Sequence, residues 1–168
     1  MRERIAVYAG TFDPLTIGHL WMVEQGARIF GKLIVAVGVN PSKHCMFSVE
    51  ERSKMIFESA AEENQNISVG TITSKYLVDY AKEMGAEYII RGLRNNSDFV
   101  FEQTMRNING DLNPNITTIF LMPPRDIAEV SSSMVKGLIG PDGWERIVRK
   151  YVPVGVFNML KEKHNVLS

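Results

Sequence analysis

The run Ile34-Val35-Ala36-Val37 constrains this chain more than any other four residues in it. Successive side chains of a strand point to opposite faces, so four apolar residues in a row need cover on both sides. Strands of that kind belong to parallel sheets sandwiched between helices. Further β-branched or apolar runs occupy residues 5–9, 33–39, 67–71, 88–90 and 117–121. Helical periodicity fills the gaps. Residues 19–30 place Leu20, Val23 and Ala27 on one stripe, and Ser48-Val49-Glu50-Glu51 is a capping box opening a helix to about Ala61. Residues 76–84 and 99–112 give two more helices. This alternation predicts an α/β fold, a doubly wound five-stranded parallel sheet with helices on both faces. Beyond the last strand, residues 131–138, 144–150 and 153–163 read as a C-terminal helical segment. It is broken by the turn Gly140-Pro141-Asp142-Gly143, and Pro153 suits a first helical turn.

Composition narrows the partners. A length of 168 residues with 45% hydrophobic side chains fits one domain spanning residues 1–168. Nineteen basic and nineteen acidic side chains cancel, so no global field recruits nucleic acid or an anionic membrane. Any phosphate recognition must come from a few placed cations and backbone amides. Cys45 is the single cysteine, which excludes an intramolecular disulfide and a multi-cysteine metal site. His44 and His164 lie among polar residues and are expected to be solvated. Met1-Arg2-Glu3-Arg4 leads into a short apolar segment without a secretory pattern, and no apolar run approaches the roughly 20 residues of a membrane span. The expectation is a soluble, cytoplasmic protein.

Ligands of open α/β sheets bind outside the carboxyl ends of the strands, where the strand order switches. The segments following each strand are therefore the candidates. After the first comes Gly10-Thr11-Phe12-Asp13-Pro14-Leu15-Thr16-Ile17-Gly18-His19. Gly10 permits a sharp turn, and Gly18 would let a phosphate approach a helix start, where free amides and the dipole favour anions. His19 would donate to a phosphate oxygen from the first helical turn, the plainer alternative being a histidine that only caps or packs. Lys43 follows the second strand and would neutralise a phosphate as a mobile charge. The fourth strand runs into Ile90-Arg91-Gly92-Leu93-Arg94, then Asp98-Phe99 and Glu102. Two arginines at a strand end need partners, either phosphates or Asp98 and Glu102, and an anchored arginine is the better phosphate clamp. After the fifth strand, Ile127-Ala128-Glu129-Val130-Ser131-Ser132-Ser133 precedes Lys136. Its serines offer hydroxyls and helix-start amides, whether as plain caps or as triphosphate ligands.

Taken together these segments resemble the HxGH nucleotidyltransferase superfamily. Thr16 in the first motif position, where other branches carry histidine, resembles the phosphopantetheine adenylyltransferase branch, and the likeness runs from Ile5 to about Lys163. It implies a Rossmann-like fold and transfer of the adenylyl group of ATP to 4′-phosphopantetheine, yielding dephospho-coenzyme A and pyrophosphate. It further implies Mg²⁺ carried mainly on ATP phosphates with no protein metal ligand, coenzyme A as a feedback ligand, and a homohexamer. By the same resemblance His19 stabilises the transition state with Thr11 and Lys43. ATP is held by Thr11, Phe12, His19, Gly92, Leu93, Arg94, Glu102 and residues Ile127, Ala128, Glu129, Val130, Ser131, Ser132 and Ser133. The acceptor is held by Thr11, Lys43, Leu77 and Arg91. Lys136 closes the second signature where arginine is common, and a lysine there is a less directional phosphate ligand.

No paired carboxylates and no Ser-His-Asp arrangement accompany these motifs, and none is needed. A phosphate monoester with a second pKa near about 6 is already a nucleophile at neutral pH. Two rival readings use the same residues. One is a sister enzyme acting on a mononucleotide or glycerol phosphate, against which Thr16 and the segment from Arg91 to Glu102 argue. The other is a non-catalytic ATP or coenzyme A sensor, which would not need His19, Lys43 and Arg91 together. A class I tRNA synthetase is set aside, because the chain is short and lacks a basic RNA-binding surface.

Overall fold

The computed structural model describes residues 3–39 and 44–167. Five strands, β1 (Ile5–Gly10), β2 (Lys32–Val39), β3 (Ile67–Thr73), β4 (Tyr88–Gly92) and β5 (Thr117–Leu121), form one parallel sheet. Their spatial order is β3-β2-β1-β4-β5, so the order reverses between β1 and β4. The predicted strands are all present. β1, β3 and β4 run one or two residues further toward their carboxyl ends, through Gly10, Thr73 and Gly92.

Alternation along the strands divides the core in two. Ala6, Tyr8, Leu33, Val35, Val37 and Ile90 face a larger cluster built with α1 (Ile17–Ile29), α2 (Val49–Ile56) and the C-terminal helices α6 (Trp144–Val148) and α7 (Val154–Leu167). Val7, Ile34, Ala36 and Ile89 face the other side, where Val78, Tyr80 and Ala81 of α3 (Leu77–Glu83) cover them. The run Ile34-Val35-Ala36-Val37 is thus shared between both cores. A π-helical turn, Phe57–Ala61, follows α2. Next to α3 lies α4 (Asn96–Leu112), which starts three residues earlier than the periodicity suggests because Asn95 caps it, its side chain accepting from the Asp98 amide. A last short helix, α5 (Ser132–Gly137), follows β5.

Two sequence expectations change here. In α1 the buried residues are Met22, Val23 and Gly26, with Leu20 and Ala27 only partly covered. Helix α1 meets the sheet at Gly26, where a Cβ would lie 2.9 Å from Ile90 Cδ1 and 3.0 Å from Leu33 Cδ2. Hydrophobic scoring reads that contact point as a gap. His164 is not simply solvated: its ring packs edge-on against Trp144, 5.4 Å between centroids.

Arg52 of α2 is the strongest polar element of the frame, at 3% exposure. Its Nε donates to the carbonyls of Phe47 and Ser48, and its Nη1 donates to Thr11 O at 2.7 Å and Gly38 O at 3.3 Å. The ends of β1 and β2 are thereby stitched to α2. Removing a buried donor strands its acceptors without water. Arg52→Met is expected to lose about 3 kcal/mol, roughly 6–12 °C in melting temperature for a chain this size. A thermal melt of the variant within about 2 °C of the parent would show that these bonds do not hold the frame.

Candidate active site

An open cleft of about 1450 Å³ lies at the carboxyl ends of the strands, over the β1/β4 switch in order. Pockets that take one drug-sized ligand measure about 300–1,000 Å³. This cleft therefore has room for two ligands end to end. Thr11, Phe12, His19, Leu77, Arg91, Gly92, Arg94, Glu102, Ile127, Val130, Ser131, Ser132 and Ser133 all line it. Leu93, Ala128 and Glu129 do not. Leu93 is turned into the core and its amide is spent on Leu121 O, while Glu129 is exposed beside Arg94. Lys43 lies outside the described residues.

The loop after β1 is set by its own side chains. Phe12 adopts φ 53°, a left-handed conformation uncommon for a bulky residue. Its ring, 1% exposed, packs edge-on against Tyr8 and against His19. The expected nucleotide contact of Phe12 is thus left to its main chain. Thr16 caps α1 in a capping box with His19. Its hydroxyl accepts from the His19 amide, while its own amide donates to His19 Nδ1 at 3.1 Å. The capping alternative for this histidine is therefore real, and it has a chemical consequence. A nitrogen that accepts an N–H carries no proton, so the bonding pattern assigns the ring proton to Nε2. Burial, with the nearby Arg94 charge adding to it, lowers the His19 pKa to about 4. At neutral pH the ring is an uncharged donor, not a cation.

Gly18 lines the cleft and has a structural part beside the expected phosphate approach. A Cβ there would sit 3.3 Å from the Val130 carbonyl oxygen and 3.6 Å from that of Ile127. The glycine lets the segment after β5 lie against the first turn of α1, which brings two sequence motifs into one wall.

Across the switch point, Arg91 sends Nε and Nη2 to the two carboxylate oxygens of Glu102, and Nη1 to Ala9 O at 3.1 Å. Burial works against the guanidinium charge, but the paired Glu102 outweighs it and keeps Arg91 protonated. Arg94 forms a similar fork to Asp98, with bonds of 2.8 and 3.1 Å, and that pairing raises its pKa too. Both arginines are anchored by carboxylates four or eleven residues on, as the sequence allowed, and both still line the cleft. Tyr8, which the sequence reading passed over, contributes to the floor between them. Burial raises its pKa against the pull of both arginines, so its phenol stays protonated.

The three serines divide their work. Ser131 caps α5, its oxygen accepting from the Met134 amide, which leaves its own O–H free to donate. Ser132 spends its one O–H on Pro14 O at 2.8 Å. Ser133 is exposed into the cleft. Asp13, also passed over, is 3% exposed and accepts from the amides of Met46 and Phe47 and from Lys136 Nζ. Burial would raise its carboxyl, but these donors prevail and hold it below the usual carboxylate range. Cys45 and His44 reach the cleft margin. Arg52 had a legible signal: it is an arginine on the apolar stripe of α2, beside Met55 and Ile56. Asp13 had none beyond its motif.

Among the described residues, no three His, Cys, Asp or Glu side chains form a metal-binding group. Of the carboxylates lining the cleft, Glu102, Asp98 and Asp13 are engaged with Arg91, Arg94 and Lys136, while Asp79 is exposed at its margin. A divalent ion entering on ligand phosphates would need few ligands from the chain.

Known proteins resemble this chain in sequence and in fold. The cytidylyltransferase-like family matches residues 7–138. A phosphopantetheine adenylyltransferase of Chromobacterium violaceum is 54% identical over 155 residues, covering 92% of this chain and 94% of the relative. Another, from Caldanaerobacter subterraneus subsp. tengcongensis, is 41% identical over 160 residues, 95% of this chain and 97% of the relative. In architecture the chain resembles a Plasmodium falciparum nicotinic acid mononucleotide adenylyltransferase solved with NaAD. The TM-score is 0.71 at 15% identity, covering 96% of each chain.

The His19 environment makes a titration prediction. Its ring should titrate near pH 4 by NMR, in place of the ordinary value near 6.5. Because the folded state disfavours the proton, His19 costs stability progressively as pH falls from about 6.5 toward 4, and nothing above that range. A midpoint near 6.5 would contradict the buried, neutral assignment.

Proposed function

The chain belongs to the phosphopantetheine adenylyltransferase family of cytidylyltransferase-like nucleotidyltransferases, and from that premise we propose how its cleft works. The enzyme transfers the adenylyl group of ATP to the phosphate of 4′-phosphopantetheine, releasing pyrophosphate and forming dephospho-coenzyme A for coenzyme A biosynthesis. The observation that carries the reading is the convergence of the segments after β1, β4 and β5 on one cleft with room for both substrates.

The acceptor phosphate attacks the α-phosphorus of ATP and the pyrophosphate oxygen leaves, so one P–O bond forms as another breaks. No protein base is needed, because the acceptor is ionised. What the protein supplies is alignment and charge stabilisation. Arg91, fixed by Glu102 and Ala9 O, holds the acceptor phosphate, with Lys43 as its second cation. Glu102 acts chiefly on the acceptor side, by orienting Arg91, since its carboxylate is buried in that pair. His19 donates from Nε2 to an α-phosphate oxygen as negative charge builds there, assisted by Thr11. A neutral donor adds a directed dipole without changing the charge of the site. Arg94, Gly92, Ser131 and Ser133 take the remaining phosphates, and Leu77 lines the acceptor arm. Bound with ATP, Mg²⁺ supplies neutralisation of the triphosphate charge.

Coenzyme A contains both halves of the substrate pair, which supports it as a feedback ligand of the same cleft. No helix among the described residues is long and apolar enough to cross a membrane, and a cytoplasmic location follows from the pathway. Helix α4 leaves Phe99, Val100, Phe101, Ile108 and Leu112 largely exposed, with only Glu102 and Asn109 buried along it. Such a surface supports self-association, and the family likeness supports a homohexamer.

Pyrophosphate release from ATP should require 4′-phosphopantetheine. Release without it, or with a mononucleotide in its place, would refute the proposed acceptor. His19→Ala should lower kcat about 10²–10³-fold, the usual loss of one transition-state donor, while ATP affinity falls much less. Near-normal turnover would remove His19 from that role. Light scattering on a sizing column should give about six chain masses, and Phe101→Glu should shift the peak toward smaller species. A monomeric parent would contradict the assembly.

A further inference from the structure

Lys136 lines the cleft, yet its charge is already committed. Its Nζ lies 2.8 Å from Asp13 Oδ2, and the Asp13 side chain is 4% exposed against 32% for Lys136. The same carboxylate accepts from the Met46 amide at 3.0 Å and the Phe47 amide at 2.9 Å. One helical turn before Lys136, Ser132 donates to Pro14 O. Positions four apart lie on one helix face. Two turns of α5 therefore bond to two consecutive residues of the loop after β1, and Asp13 carries that connection on to the segment after β2. Moving Lys136 onto a phosphate would leave a buried carboxylate with two amides and no counter-charge, a costly state.

We propose that Asp13 and Lys136 are positioning residues for the adenylyl transfer: their ion pair fixes α5 against the loop that ends at His19, and Lys136 keeps its charge there and not on the nucleotide phosphates. The inference rests on the adenylyl-transfer reading of the cleft. It separates Lys136 from the serines of the same signature. Loss of the pair lets α5 and the β1 loop drift relative to each other, which misaligns donors that stabilise the transition state but leaves most ground-state contacts of ATP in place.

The test compares Lys136→Met, Lys136→Arg, Asp13→Asn and the double variant Asp13→Asn/Lys136→Met. Each is measured for kcat at saturating substrates, ATP dissociation constant by calorimetry without acceptor, and amide exchange by NMR. Lys136→Met is expected to lose about tenfold or more in kcat with the ATP dissociation constant within about threefold, and Lys136→Arg to retain kcat within about threefold. The double variant should be no slower than the slower single, since both singles remove one interaction. Exchange at the Met46 and Phe47 amides should quicken about tenfold in Lys136→Met, because their acceptor is no longer fixed. A tenfold weaker ATP dissociation constant with kcat retained would overturn the proposal in favour of a phosphate ligand, and so would additive losses in the double variant. Should Asp13→Asn fail to fold, the Met and Arg variants at 136 still decide. If the parent enzyme shows no acceptor-dependent pyrophosphate release, the adenylyl reading fails. Amide exchange then still judges the pair, and unchanged rates in Lys136→Met overturn it.

Discussion

A parallel sheet that grows in one direction from β1 to β2 and β3, and in the other through β4 and β5, must place its crossing helices on opposite faces. The connections therefore part above β1 and β4 and leave an open gap there. Every other feature of the site depends on that gap. The loops of β1, β4 and β5 turn into it because all five strands end on the same edge. The cleft is a consequence of strand order before any side chain is chosen.

Side chains then convert a gap into a rigid mould. Arg52 ties the carbonyls of Thr11 and Gly38 to α2, Asp13 gathers two amides and Lys136, and Arg91 is braced by Glu102 and Ala9. Most cations at the site are thus partnered before substrate arrives. Pairing reduces the raw field on the phosphates but fixes direction, and direction is what distinguishes a transition state from a ground state. His19 follows the same logic. Burial beside Arg94 costs it the ability to be a cation, and its capping bonds with Thr16 give it one oriented proton.

The sheet was legible because several of its strands, β2 above all, are apolar on both faces and too short to be buried helices. Strand ends were less so, since Gly10 and Gly92 pair through the ladder although glycine scores against strand. The motif residues at the strand ends were legible as a set, and most of them line one cleft. What sequence could not supply was the second job of each residue. Gly26 is the point of closest helix–sheet contact, Gly18 admits the Val130 carbonyl, and the hydroxyl of Ser132 is consumed by Pro14. Periodicity and motif spacing report where a residue sits along the chain. Hydrogen-bond capacity is settled only when distant segments meet.

The central claim is that the protein positions two phosphorylated molecules and takes no covalent part in the exchange. The most direct measurement is the stereochemical course of transfer from ATP made chiral at the α-phosphorus by a single sulfur substitution. A single in-line displacement predicts inversion of configuration at that phosphorus in the dephospho-coenzyme A analogue. Retention would require two displacements through an adenylylated side chain, with His19 the nearest candidate, and would contradict the account.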